Sequence, residues 1–139
     1  RMRAAVLYIS HDLSLVHMVC DRVAVMYAGR VVEIGDSDEV FRNPQHPYTR
    51  ALLAAIPTVE HRRGGLAAIE GSVPEFVDES ACCRFSNRCP HATEICRSTD
   101  PPLRLTGESH GVACFAYESP GEWGRSAAEM PVLEERSLT

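Results

Sequence analysis

Ala4-Ala5-Val6-Leu7-Tyr8-Ile9-Ser10 runs into His11-Asp12, and from there the apolar residues fall at Leu13, Val16, Val19 and Cys20. The first run is short, continuous and rich in β-branched and aromatic side chains, which fits a strand buried on both faces of a parallel sheet; a buried helix segment shares that pattern. The second spacing is one face of a helix, with Ser10 or Asp12 placed to cap it. Strand, polar turn and helix thus open the chain. His11 stands at the carboxyl end of the strand, where ligands gather in open α/β sheets. Arg22–Tyr27 and Arg30–Gly35 are two further β-rich runs around Ala28-Gly29, a predicted hairpin. The fold class is α/β and incomplete, because a parallel strand at residue 4 calls for neighbours that this sequence does not supply.

Outward from the hairpin, Asp36-Ser37-Asp38-Glu39 has the spacing of a capping box and predicts a short helix over Asp38–Phe41, ended by Asn43-Pro44. Tyr48–Ile56 is a second predicted helix, stopped by Pro57. His46 and Tyr48 sit on its prolyl approach without a second acid or base beside them in sequence, so packing or turn roles are expected of them. Thr58–Gly65, with Arg62-Arg63-Gly64-Gly65, reads as a linker, and Ser119–Thr139 as a polar tail that Trp123 anchors.

The 139 residues carry 14 basic and 19 acidic side chains, a formal charge of −5. No basic stripe is present, which argues against nucleic acid as the main partner. All the basic residues are Arg. A phosphate loop of the form G-x4-G-K-[ST] needs a Lys, and no apolar run ends in the acidic pair that would hold magnesium, so the polypeptide alone is expected not to hydrolyse ATP. No apolar run reaches the length of a membrane span. Arg1-Met2-Arg3 lacks the features of a secretory signal, and the chain reads as one entered in mid-sequence, soluble or peripheral, in a reducing compartment.

Five of the six cysteines fall between positions 82 and 114: Cys82, Cys83, Cys89, Cys96 and Cys114. From Cys83 the pattern is C-x5-C-x6-C-x17-C. It lacks the C-x2-C grip usual in structural zinc sites, whereas a four-iron cluster, with one thiolate per corner, tolerates wider and less regular intervals. An iron–sulfur cluster, zinc, and reduced or disulfide-paired cysteines are the three readings, in that order. The segment is loop-rich, with Pro90, Pro101 and Pro102, and too small to fold readily without a crosslink or metal.

These residues carry a family resemblance. Cys83-x-Phe85-x-x-Arg88-Cys89-Pro90-x-Ala92-x-x-x-Cys96, followed by Pro102-Leu103 and His110-x-x-x-Cys114, resembles the C-terminal extension of the ATP-binding subunits of bacterial oligopeptide/dipeptide ABC transporters. Asn43-Pro44-Gln45-His46-Pro47-Tyr48-Thr49-Arg50-Ala51-Leu52 is similar to the stretch that opens that extension. Tyr8–Leu13 and Cys20–Glu33 resemble the last part of an ABC ATPase domain. The resemblance implies three regions: the end of an ATPase domain over 1–42, the transporter extension with its small loop-rich cysteine module over 43–118, and a tail over 119–139. It implies that His11 is the switch histidine that contacts the γ-phosphate across a dimer and orients the attacking water. It also implies that Cys83, Cys89, Cys96 and Cys114 bind a [4Fe-4S] cluster; Gly often stands at the position of Cys82, so that thiol is a departure.

For the complete subunit the resemblance implies ATP and Mg2+, a second ATP-binding subunit, two membrane permease subunits and, indirectly, a peptide-binding protein. The expected place is the cytoplasmic face of the bacterial inner membrane, held peripherally. The competing expectation is a free-standing iron–sulfur or zinc module for assembly or redox sensing, which the cysteine spacing alone permits.

Overall fold

The structure, a computed structural model, describes residues 4–56 and 81–117. The linker expected over Thr58–Gly65, Pro57 and the tail with Trp123 lie outside the described residues. Residues 4–10 form no regular element, and the expected strand is absent: Val6, Leu7 and Ile9 are each more than four-fifths exposed. A strand exists only through pairing of its backbone groups, and no described element lies beside this run to pair with it.

The helix after it forms as α1, Leu13–Val19. Its cap is Asp12, whose side chain accepts the Leu15 N–H at 3.1 Å, while Ser10 Oγ accepts the Asp12 N–H. Of the predicted apolar face only Val16 is buried; Val19 is exposed. The hairpin forms as β1, Arg22–Tyr27, and β2, Arg30–Asp36. Ala28 and Gly29 both adopt positive φ, 47° and 80°, as a tight turn matched to strand twist requires. Glycine takes that geometry freely. Ala28 does not, and its carbonyl is clasped by the Arg84 guanidinium from the cysteine segment.

Short α2, Ser37–Arg42, follows at once. The predicted capping box is not made, for the Asp36 carboxylate is engaged elsewhere: it accepts from Ser109 Oγ at 2.7 Å and lies 3.9 Å from Arg22 Nε. Asn43 closes α2 and returns its amide to Glu39. Next comes α3, Pro47–Ala54, with proline in its first turn, where the missing N–H costs nothing.

The cysteine segment contributes α4, Glu94–Ser98, then β3, Arg104–Leu105, and β4, Gly111–Val112. β4 pairs with β2 through Glu33–Val112 and Ile34–Gly111, which makes one four-stranded antiparallel sheet in the order β1-β2-β4-β3. The sheet is therefore antiparallel throughout, and the cysteine segment completes it from the far end of the chain. Its small core is Tyr27, Val32 and Phe85, with Tyr48, Cys83 and Cys89 packed on it. Phe85 meets Tyr27 edge-on at 5.2 Å between ring centroids and Tyr48 at 5.5 Å.

Candidate metal centre

Three of the cysteines open the same local turn. The carbonyls of Cys83, Cys89 and Cys114 accept the N–H groups of Ser86, Ala92 and Tyr117, three residues on, at 3.0–3.2 Å. In each turn the N–H two residues on, from Phe85, His91 or Ala116, reaches the cysteine sulfur and favours its thiolate. A chain that folds so presents a sulfur with a backbone donor already aimed at it. Cys96 is held differently, on α4, with Thr93 Oγ1 3.4 Å from its sulfur, and its carbonyl accepts the Cys83 N–H at 2.9 Å.

These turns and α4 converge. Cys83, Cys89, Cys96 and Cys114 all line one pocket, closed on the other sides by His46, Phe85, Pro101 and Phe115 among others. Burial pushes the Cys83 thiol up to about 11 and the Cys114 thiol up to about 12, and raises Cys89; the neighbouring sulfurs add to each shift. The charged forms repel one another and lack solvent. The set therefore becomes a ligand set only against a cationic centre that offsets several thiolates at once. Among the described residues no group of His, Cys, Asp or Glu is drawn tightly enough together to form a single-ion site. The four cysteines that line the pocket are soft donors, of the type and number that a polynuclear iron–sulfur centre uses.

Cys82 is half-buried beside Cys83 but does not line the pocket, and Cys20 lies apart on the end of α1. His11 is exposed at the bend before α1. The structure does not bring it to the cysteines.

Behind the pocket stands a buried polar hub that the sequence reading did not identify. Glu33, on β2, is fully buried. One carboxylate oxygen accepts the Gln45 N–H at 2.7 Å and lies 2.7 Å from His110 Nε2, and the other accepts the His46 N–H at 2.9 Å. The hub fixes the approach to α3 and the residue before β4 to one point on the hairpin. His46 in turn caps α3, its Nδ1 accepting the Tyr48 N–H at 3.0 Å, which is the turn role expected of it. Its ring is almost wholly buried, and burial pushes its pKa down to about 3. The sequence signal for the hub was a lone acid inside Val31-Val32-Glu33-Ile34, a charged residue at a buried strand position.

Residues 32–96 match the family described as "Oligopeptide/dipeptide transporter, C-terminal region". The chain is 43% identical over 116 residues to a Brucella ovis protein described as a peptide import ATP-binding protein, covering 83% of this chain and 37% of that one. It is 46% identical over 112 residues to a Brucella abortus protein of the same description, covering 80% and 33%. A Brucella melitensis protein so described is 46% identical over 112 residues, covering 80% of this chain and 29% of the relative. The chain spans about a third of the length of the curated relatives it matches.

Proposed function

We propose that this chain, whose residues 32–96 match the C-terminal region of the oligopeptide/dipeptide transporter family, serves as the closing part of the ATP-binding subunit of a peptide importer. In this reading the hairpin and α1 end the ATPase fold. His11 acts as the switch histidine, within reach of the γ-phosphate and the attacking water when the phosphate loop and magnesium site of the complete subunit are present. The subunit works as a pair on the cytoplasmic side of the membrane and drives the permease subunits, with a peptide-binding protein supplying cargo. No helix among the described residues is long and apolar enough to cross a membrane.

The observation that carries the reading of the extension is the convergence of Cys83, Cys89, Cys96 and Cys114 on one pocket, three of them from a repeated turn with an N–H aimed at the sulfur. We assign this pocket to a [4Fe-4S] cluster. When bound, such a cluster supplies a covalent crosslink among four chain positions and a one-electron centre. The chain's own part is to bring the thiolates together, shield them with Phe85 and Phe115, and support the loops from the Glu33 hub.

The test uses the intact gene product, wild type and carrying Cys89→Ser or His11→Ala. Anoxically purified wild type is expected to hold four irons and four acid-labile sulfides per chain, lost in Cys89→Ser, and His11→Ala is expected to abolish uptake of labelled di- and oligopeptides while retaining the iron. Zinc in place of iron would overturn the cofactor. Undiminished uptake by His11→Ala would overturn the importer role.

A further inference from the structure

One polar atom in the pocket wall has no role in the packing described so far. His46 is 1% exposed and lines the same pocket as the four cysteines. Its Nδ1 accepts the Tyr48 N–H, so Nδ1 carries no hydrogen, and the proton of the neutral ring resides on Nε2. Nε2–H has no hydrogen-bond partner among the described residues: the remaining contacts of His46 are its backbone N–H on Glu33, its carbonyl on the Arg50 N–H, and its ring against Phe85 at 5.8 Å. A ring N–H of a pocket-lining residue that no protein acceptor satisfies is available to an acceptor bound in that pocket. The fold takes some trouble to put it there. Glu33 fixes the backbone of His46, the cap fixes the tautomer, and Phe85 flanks the ring.

We propose that His46 Nε2–H donates a hydrogen bond to a sulfur of the centre held by Cys83, Cys89, Cys96 and Cys114, so that the residue capping α3 also positions and tunes that centre. The inference rests on the cluster reading above. Thiolate and bridging sulfide are acceptors of the kind the pocket lacks, and hydrogen bonds to cluster sulfurs stabilise the added electron and raise the reduction potential. His46 is thus a positioning residue, acting through the cluster, and the prolyl stretch around it is where the helix and the cysteine module are joined.

Two substitutions separate the ring's two nitrogens. In His46→Asn the side-chain oxygen replaces Nδ1 as the cap acceptor, and nothing reaches the position of Nε2. His46→Gln extends an amide N–H towards that position and gives up the cap. The full chain and both variants are purified anoxically, iron and sulfide are counted, and the potential is titrated with redox dyes while the reduced cluster is followed by electron paramagnetic resonance. The expected result is a lower potential in His46→Asn at unchanged melting temperature of the metal-free chain, and a potential near wild type in His46→Gln at a lower melting temperature. If His46→Asn loses the cluster outright while His46→Gln keeps it, the donor role also stands. A fully loaded His46→Asn with the wild-type potential, equal shifts in the two variants, or loss of the cluster from both would overturn the proposal while leaving the cluster reading intact. Wild type without a four-iron cluster would remove that reading, and this inference with it.

Discussion

Replacing Glu33 tests whether the hairpin and the extension are held at one buried point. The carboxylate is fully buried and engages three donors, the N–H groups of Gln45 and His46 and the Nε2 of His110, at 2.7, 2.9 and 2.7 Å. Glu33→Gln keeps the shape but offers a single acceptor oxygen. Set in the place of Oε1, that oxygen keeps Gln45 and His110 and turns an NH2 onto the His46 N–H; set the other way, it opposes two donors in place of one. At least one buried donor is stranded, a loss of about 1–3 kcal/mol. Glu33→Ala strands all three and opens a hole, and the expected loss rises to about 3–5 kcal/mol, the range found when one side of a buried pair is removed. Against a total stability of about 5–15 kcal/mol for a domain, the alanine variant stands near unfolding and the glutamine variant remains measurable. Urea unfolding at pH 7, followed by far-UV circular dichroism, supplies the free energies. Asp38→Asn is the control, on a carboxylate 74% exposed and 3.8 Å from His17, where about 0.5 kcal/mol or less is expected. A Glu33→Gln loss no larger than that of the control would refute the hub.

Two further outcomes follow from the same packing. Phe85→Ala removes the ring that Tyr27, Tyr48 and His46 surround, and the expected loss is about 3–5 kcal/mol in the same urea assay; a loss under about 1 kcal/mol would show that the aromatic cluster is not the core. His46 has its pKa lowered from 6.5 to about 3 by burial, so the unfolded chain takes up a proton that the folded chain refuses. The resulting stability is complete above pH 6.5 and is lost as pH falls from about 6.5 towards about 3, by up to about 1.4 kcal/mol per pH unit. Comparing wild type with His46→Asn at pH 7, 6 and 5 checks this: wild type should lose stability relative to the variant as the pH drops, and a pH-independent difference would contradict the assigned burial.

What was legible in the sequence was local. The Ala28-Gly29 hairpin, the Asp12 cap, the stop at Asn43-Pro44 and the prolyl start of α3 all depend on a few neighbouring residues, and each was readable from them. The capping box was misread because Asp36 has a stronger competing partner in Ser109, distant in sequence. The strand over residues 4–10 failed for a related reason: its pattern describes the company it needs, and pattern alone does not provide a neighbour. Cysteine spacing likewise marked Cys83, Cys89, Cys96 and Cys114 as a set, while their shared pocket depends on turns whose orientation only tertiary packing fixes.

The residues that sequence reading left out explain why the hairpin and the cysteine segment meet. Arg84, next to the first pocket cysteine, holds the carbonyl of Ala28 at the hairpin tip. Val112, two residues before the last, lies opposite Glu33 on β2, and the Ala113 N–H is accepted by Val32 at 2.9 Å. Thus the cysteine module hangs on the hairpin at its tip through Arg84 and along its edge through β4, with Glu33 tying His46 and His110 between. Packing a small module onto an existing strand edge also covers an edge that would otherwise be free to pair with another chain.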